Sequence, residues 1–200
     1  MSMENFQAKP GEAFGGGFYV CRFHVGSDEY ALIVAPKSVG ETKGTWGEHG
    51  VEIPGARSCC DGAENTRHMA EAGSELASLI ARLDINGLRD WYLPGRDELE
   101  MCFRYLKPTS DENYCAFRDG ENASSIPVGY PYTKHEPAQT AVDAFIAGGA
   151  EAFDPGWYWS STQYSRYLAY VQSFWNGLQL SYDKTSTLRA RAVRRVLISN

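Results

Sequence analysis

The spacing of apolar positions changes several times along the chain, and each change marks an element. From Gly17 to Ala35 the runs FYVCRFHV and YALIVAP, joined by Gly26-Ser27-Asp28-Glu29, read as two strands and a turn, so a hairpin opens the fold. Residues 37–62 are rich in glycine and charge, lack a clear period and hold Trp46 in isolation, the pattern of a long surface loop. Beyond Asn65, the residues Met69, Ala72, Leu76, Ile80 and Leu83 recur at spacings of three and four, which predicts one helix stopped at Asn86-Gly87. Leu99, Cys102, Phe103 and Leu106 predict a second helix, with Arg96, Asp97, Glu98 and Glu100 at its start and Lys107-Pro108 at its end. Residues 109–137 read as a long insertion, and Ala141, Phe145 and Ile146 as a short helix ended by Gly148-Gly149. The rest is β-rich: WYWSSTQ, YLAYVQSFW and LRARAVRRVLI are separated by polar turns, Asn176-Gly177 being a strong hairpin signal. This order describes an α+β domain over 17–200 whose first and last strands are free to pair, preceded by a polar, Gly-rich arm at 1–16.

Composition then narrows the function. A chain of 200 residues suits one domain that buries roughly 70% of its unfolded surface without disulfide or metal. No apolar run approaches the ~20 residues that cross a bilayer, so membrane insertion is not expected. The start lacks the basic-then-apolar order of a signal peptide, and the five cysteines lack metal-ligand spacing, which reads as mostly free thiols in a protein made in a cytoplasm. A net charge of −6 argues against nucleic acid as a partner. Aromatic residues crowd one zone: Trp157, Tyr158, Trp159, Tyr164, Tyr167, Tyr170, Phe174, Trp175 and Tyr182. That density calls for a core, a binding face, or both.

The stretches GLRDWYLPGRDELE (87–100), YWSST (158–162), AYVQSFWNG (169–177) and LRARAVRRV (188–196) resemble the DUF1566 family, whose members look like C-type-lectin-fold modules. The opening GEAFGGGFYVCRF, the ALIVAPK strand and DGAENT are similar to phage-encoded members, and the resemblance extends to variable proteins of diversity-generating retroelements. It implies two main helices packed on a twisted antiparallel sheet closed by the terminal strands, with long irregular loops. It also implies that 163–187 is a display zone. One departure stands out: Gly95 occupies the place where the family usually has Thr or a similar helix cap.

Within the aromatic zone, Trp159, Ala169 and Phe174 fall in the pattern's fixed framework and are expected in the core. Tyr164, Tyr167, Tyr170, Trp175 and Tyr182 lie at or beside turns, interleaved with Arg166, Asn176, Gln179, Asp183 and Lys184. Tyr, Trp and Arg among small polar residues are what recognition faces use, so these ten are the candidate ligand-binding set. Calcium-dependent sugar binding is not expected, because Glu136-Pro137 is followed by Ala138 and Trp175-Asn176 by Gly177, each short of an oxygen donor. Arg189, Arg191, Arg194 and Arg195 alternate along a strand and read as salt-bridge partners. Cys59-Cys60 lacks an activating base and reads as buried free thiols, and His24, His49, His68 and His135 share no zinc spacing.

No active site, cofactor or metal is therefore expected. The leading expectation is a non-enzymatic phage virion protein, receptor-binding or tail-fibre-associated, that presents 163–187 to a bacterial surface protein or glycan. A cyclic oligomer, with a trimer favoured, would add avidity. The alternative is a capsid or tail decoration protein whose face binds other virion proteins. An enzyme of the formylglycine-synthase type is a third reading, and it would require a pair of reactive thiols.

Overall fold

The computed structural model describes residues 7–115 and 121–199 as an α+β fold. In chain order the elements are β1 (Ala13–Phe14), β2 (Gly17–Val25), β3 (Asp28–Val34), α1 (Lys37–Gly40), β4 (Glu41–Gly44), α2 (Gly62–Glu71), α3 (Glu75–Ala81) and α4 (Arg96–Leu106). There follow β5 (Ser125–Ile126), a 3-10 turn at Asp143–Phe145, β6 (Trp157–Gln163), β7 (Leu168–Ser173), β8 (Gln179–Asp183), β9 (Leu188–Arg191) and β10 (Val193–Ser199).

The strands form two sheets rather than the single one expected. The first runs β1-β2-β3-β10, with β5 added on β2; the second runs β4-β9-β6-β7-β8. The pairing of β10 with β3, from Val193 opposite Val34 to Leu197 opposite Tyr30, brings the C-terminal strand onto the opening hairpin, on its second strand and not on the first as expected. All pairings but one are antiparallel: β6 and β9 run parallel where Tyr158 meets Arg189. The β9-β10 run breaks at Ala192, so its two halves serve different sheets.

The apolar run of β3 is explained by burial on both faces. Ala31, Ile33 and Ala35 join a core with α2, α3 and Trp159, while Leu32 and Val34 face α4 with Phe103, Tyr158 and Phe174. Trp159, Ala169 and Phe174 are fully buried, in line with the core expectation.

Three local expectations are corrected. The helix foreseen from Asn65 to Leu83 is two helices, because Gly73 turns the chain at a φ of +90° and Ser74 then caps α3 through Ala77 N–H. The 37–62 loop contains α1, β4 and a fully buried Trp46, whose indole donates to the Ser160 carbonyl at 2.8 Å. Residues 7–16 of the expected arm fold back on β2, with Ala13 opposite Phe18 and Ala8 and Phe14 packed on the core. Residues 1–6 of that arm lie outside the described residues.

The LPGRDELE motif has a structural use. Glu98, fully buried, accepts from Gly95 N–H (2.6 Å), Gly62 N–H (2.9 Å) and Tyr92 O–H (2.6 Å), so one carboxyl fastens the starts of α2 and α4 together. Gly95 offers no side chain to cap α4, and the Cys59 carbonyl takes that part by accepting from Asp97 N–H at 2.8 Å. A Cβ at Gly95 would lie 2.6 Å from that oxygen, which is why Thr is not accommodated here.

Candidate functional site

β6 and β7 leave the core side by side and are joined by the exposed turn 164–167. The turn is tight: Tyr164 N–H and Ser165 N–H both donate to the Leu168 carbonyl, and Ser165 Oγ accepts from Tyr167 and Leu168 N–H. Tyr164 and Tyr167 project from it to 53% and 46% exposure, and Arg166 between them is exposed as well.

Both rings are braced. Tyr164 meets Tyr170 edge-on, centroids 5.4 Å apart, and the Arg96 guanidinium lies 5.3 Å from the Tyr170 centroid. Arg96 is fixed in turn as the first residue of α4, its N–H on Thr162 Oγ1 and its carbonyl accepting from Gln179 Nε2. Tyr167 packs on the His49 ring at 4.9 Å, and His49 Nδ1 is 3.0 Å from Asp183. Hydrogen bonds from Thr185 to Asp183, backbone N–H first, hold that carboxyl below the usual range.

Lys184 does not belong to this face. It is fully buried, and its ammonium donates to the Val51 carbonyl (2.7 Å) and Gln163 Oε1 (2.6 Å), 4.5 Å from the Trp46 ring centroid. Desolvation pulls its pKa down to about 8. Turn polarity in the sequence concealed an interior clamp that fastens the 46–53 loop under the turn. Tyr182 is also turned inward: it pairs with Ala169, packs on Trp157 at 5.2 Å and lines the core. Tyr170 is half-buried and acts as a support for Tyr164.

Trp175 and Asn176 stand apart from the rest. They lie at the far end of β7, whose six residues span roughly 20 Å. There Trp175 is 59% exposed, its carbonyl accepts from Thr109 Oγ1, and the Asn176 carbonyl accepts from Tyr114 N–H. Tyr114, from the 109–137 insertion, is 46% exposed beside them. The expected single face is thus two patches. Sequence reasoning missed His49, Arg96 and Tyr114 as members: His49 and Tyr114 are placed by loop packing that leaves no periodic signal, and Arg96 reads only as part of a helix start.

The four arginines near the C-terminus are paired: Arg189 with Asp154, Arg191 with Glu151, Arg194 with Asp90 and Arg195 with Asp61. No disulfide joins the five cysteines; Cys59 and Cys60 are half-buried rather than buried, and burial pushes the Cys21 and Cys102 thiols up. Among the described residues no three His, Cys, Asp or Glu side chains converge as metal ligands, and no helix is long and apolar enough to cross a membrane. No family model matches the chain, and neither does any curated protein.

Proposed function

We propose that the chain is a non-enzymatic binding module of C-type-lectin-like build and DUF1566 type, carried on a phage virion as a receptor-binding or tail-fibre-associated adhesin. The observation that carries this reading is the braced turn: two half-exposed tyrosines supported by Tyr170, Arg96 and His49, with the exposed Arg166 between them. Rigid aromatic side chains bind at low entropic cost because few rotors remain to be frozen. Closure of the first sheet by the C-terminal strand and the fully buried framework aromatics agree with what the resemblance implies. The partner is a bacterial surface molecule, and a cyclic oligomer of the module, a trimer by preference, multiplies weak single sites into useful avidity.

The test is saturable binding of labelled, multimerised protein to host cells, with competition against phage adsorption. Tyr164→Ala combined with Tyr167→Ala abolishes the binding while the melting temperature stays near that of the parent. Failure of the parent to bind or compete overturns the adhesin reading for those hosts. The Trp175 and Tyr114 patch favours a second reading, a decoration protein whose exposed aromatics contact other virion proteins. Trp175→Ala that prevents incorporation into particles without touching cell binding is its signature.

A further inference from the structure

Among the described residues, every arginine except Arg82 and Arg166 is ion-paired with a carboxylate. Arg82 is the C-cap residue of α3, where a cation suits the exposed carbonyls. Arg166 has no such use: it is exposed at the tip of a tight turn, between two tyrosines that are themselves braced from behind. An uncommitted guanidinium flanked by fixed rings is a receptor for a ligand with one planar anionic group and one apolar face.

Size and charge narrow the ligand. A protein partner needs ~800 Å² from each side with an apolar, charge-depleted centre. Around this turn the surface is polar, carrying His49, Asp183 and Thr185, and the other exposed aromatic patch is a strand length away. A polyanion is disfavoured by the Asp183 carboxylate and by the net charge of −6. One sugar ring with one carboxylate fits: the C–H face of a pyranose packs on a tyrosine ring, and the guanidinium fork meets the planar carboxylate in two parallel hydrogen bonds. We infer that the 164–167 turn binds a carboxylate-bearing saccharide, with its ring against Tyr164 or Tyr167 and its carboxylate on Arg166. The biological setting, though not the chemistry, rests on the adhesin reading.

The experiment measures binding of the full chain, displayed multivalently, to an immobilised neutral oligosaccharide ending in a single uronic acid, to its methyl ester and to the same chain carrying one sulfate in place of the carboxylate. The parent binds the free acid, and esterification or Arg166→Gln weakens binding roughly 10- to 100-fold. Arg166→Lys, which keeps the charge and loses the fork, falls between the two, and far-ultraviolet spectra and melting curves verify that each variant is folded. Equal binding of acid and ester, stronger binding of the sulfated chain, or an unaffected Arg166→Gln variant overturns the inference. Host-cell binding measured in parallel separates the two proposals. Cells bound but not competed by the uronate-ended oligosaccharide sink the carboxylate and leave the adhesin; the acid bound with no cell binding does the reverse; no binding of either kind removes both.

Discussion

Glu98 offers the sharpest test of how this fold is held. Its carboxyl has no solvent exposure and three donors, and burial nevertheless raises its pKa from 4.5 to about 7. Between these two values the folded protein holds a proton that the unfolded chain has released. Stability is therefore fully present below pH 4.5, declines as pH rises toward 7, and has lost about 3 kcal/mol from this group by pH 8. Glu98→Gln is neutral at every pH. Its amide oxygen accepts from Gly95 and Gly62 N–H, and its amide NH₂ donates to Tyr92 once that hydroxyl rotates, so the junction survives without the titration. Urea unfolding of both proteins at intervals from pH 4.5 to 8 gives the comparison. The stability of the variant minus that of the parent rises by about 3 kcal/mol across the range. Burial also raises the Glu41 carboxyl; its titration is common to both proteins and cancels in the difference. A difference that stays flat refutes the reasoning and shows the three donors outweighing burial, with Glu98 ionised throughout.

The other expectations follow from single contacts. Gly95→Thr, a helix-cap gain on sequence rules, instead drives a Cβ into the Cys59 carbonyl and lowers stability by roughly 1–3 kcal/mol; a raised melting temperature contradicts this. Lys184→Met leaves the Val51 carbonyl without its donor and Gln163 Oε1 with the Ile53 N–H alone, and costs roughly 1–3 kcal/mol in denaturant unfolding. Because the folded pKa of Lys184, about 8, lies below its ordinary 10.5, the unfolded chain binds more protons above pH 8. The parent therefore gains stability from pH 8 to about 9.5, before tyrosine ionisation opposes it, and Lys184→Met lacks that gain. Tyr170→Ala removes the prop behind Tyr164 and weakens ligand binding without removing a contact residue, which titration of the folded variant reads directly.

Much of the frame was legible in the sequence. The strands at 17–25, 28–34, 157–163 and 168–173, and the helix of 96–106, announce themselves by period and by turn residues, while the last strand joins the opening hairpin on its second strand, β3, and not on its first. What escaped were features set by long-range packing. Gly73 within a helical period is an ordinary blemish locally, and only the packing of α2 and α3 around Trp46 makes it a break. Lys184 beside Asp183 reads as a solvated turn pair; its ammonium is received by the Val51 carbonyl, 133 residues earlier, and by the Gln163 side chain of β6. In the candidate face the exposed tips Tyr164, Arg166, Tyr167 and Trp175 were recognisable, while its division was not. The division depends on β7 lying between the two turns, and no composition window reports a distance.

The placement of the buried polar groups explains how such a face can vary without loss of the fold. Gln163 accepts from Ile53 N–H and from Lys184, Gln172 donates to the Gly177 carbonyl, and Lys184 N–H donates to the Tyr167 carbonyl. These contacts hold the ends of the turns through backbone groups or through side chains outside 164–167. Tyr164, Arg166 and Tyr167 themselves contribute their main chain to the turn; the Arg166 side chain is exposed, and the half-exposed tyrosine rings touch Tyr170 and His49 at the surface without closing the turn. Substitution at those three positions accordingly leaves stability within about 0.5 kcal/mol while changing what is bound, whereas substitution of Gln163, Gln172 or Lys184 costs the fold first. A panel of variants at the six positions, scored for unfolding free energy and for ligand binding, falls into two separate groups on this account. A single continuous trend linking the two quantities would show that turn and clamp are one energetic unit.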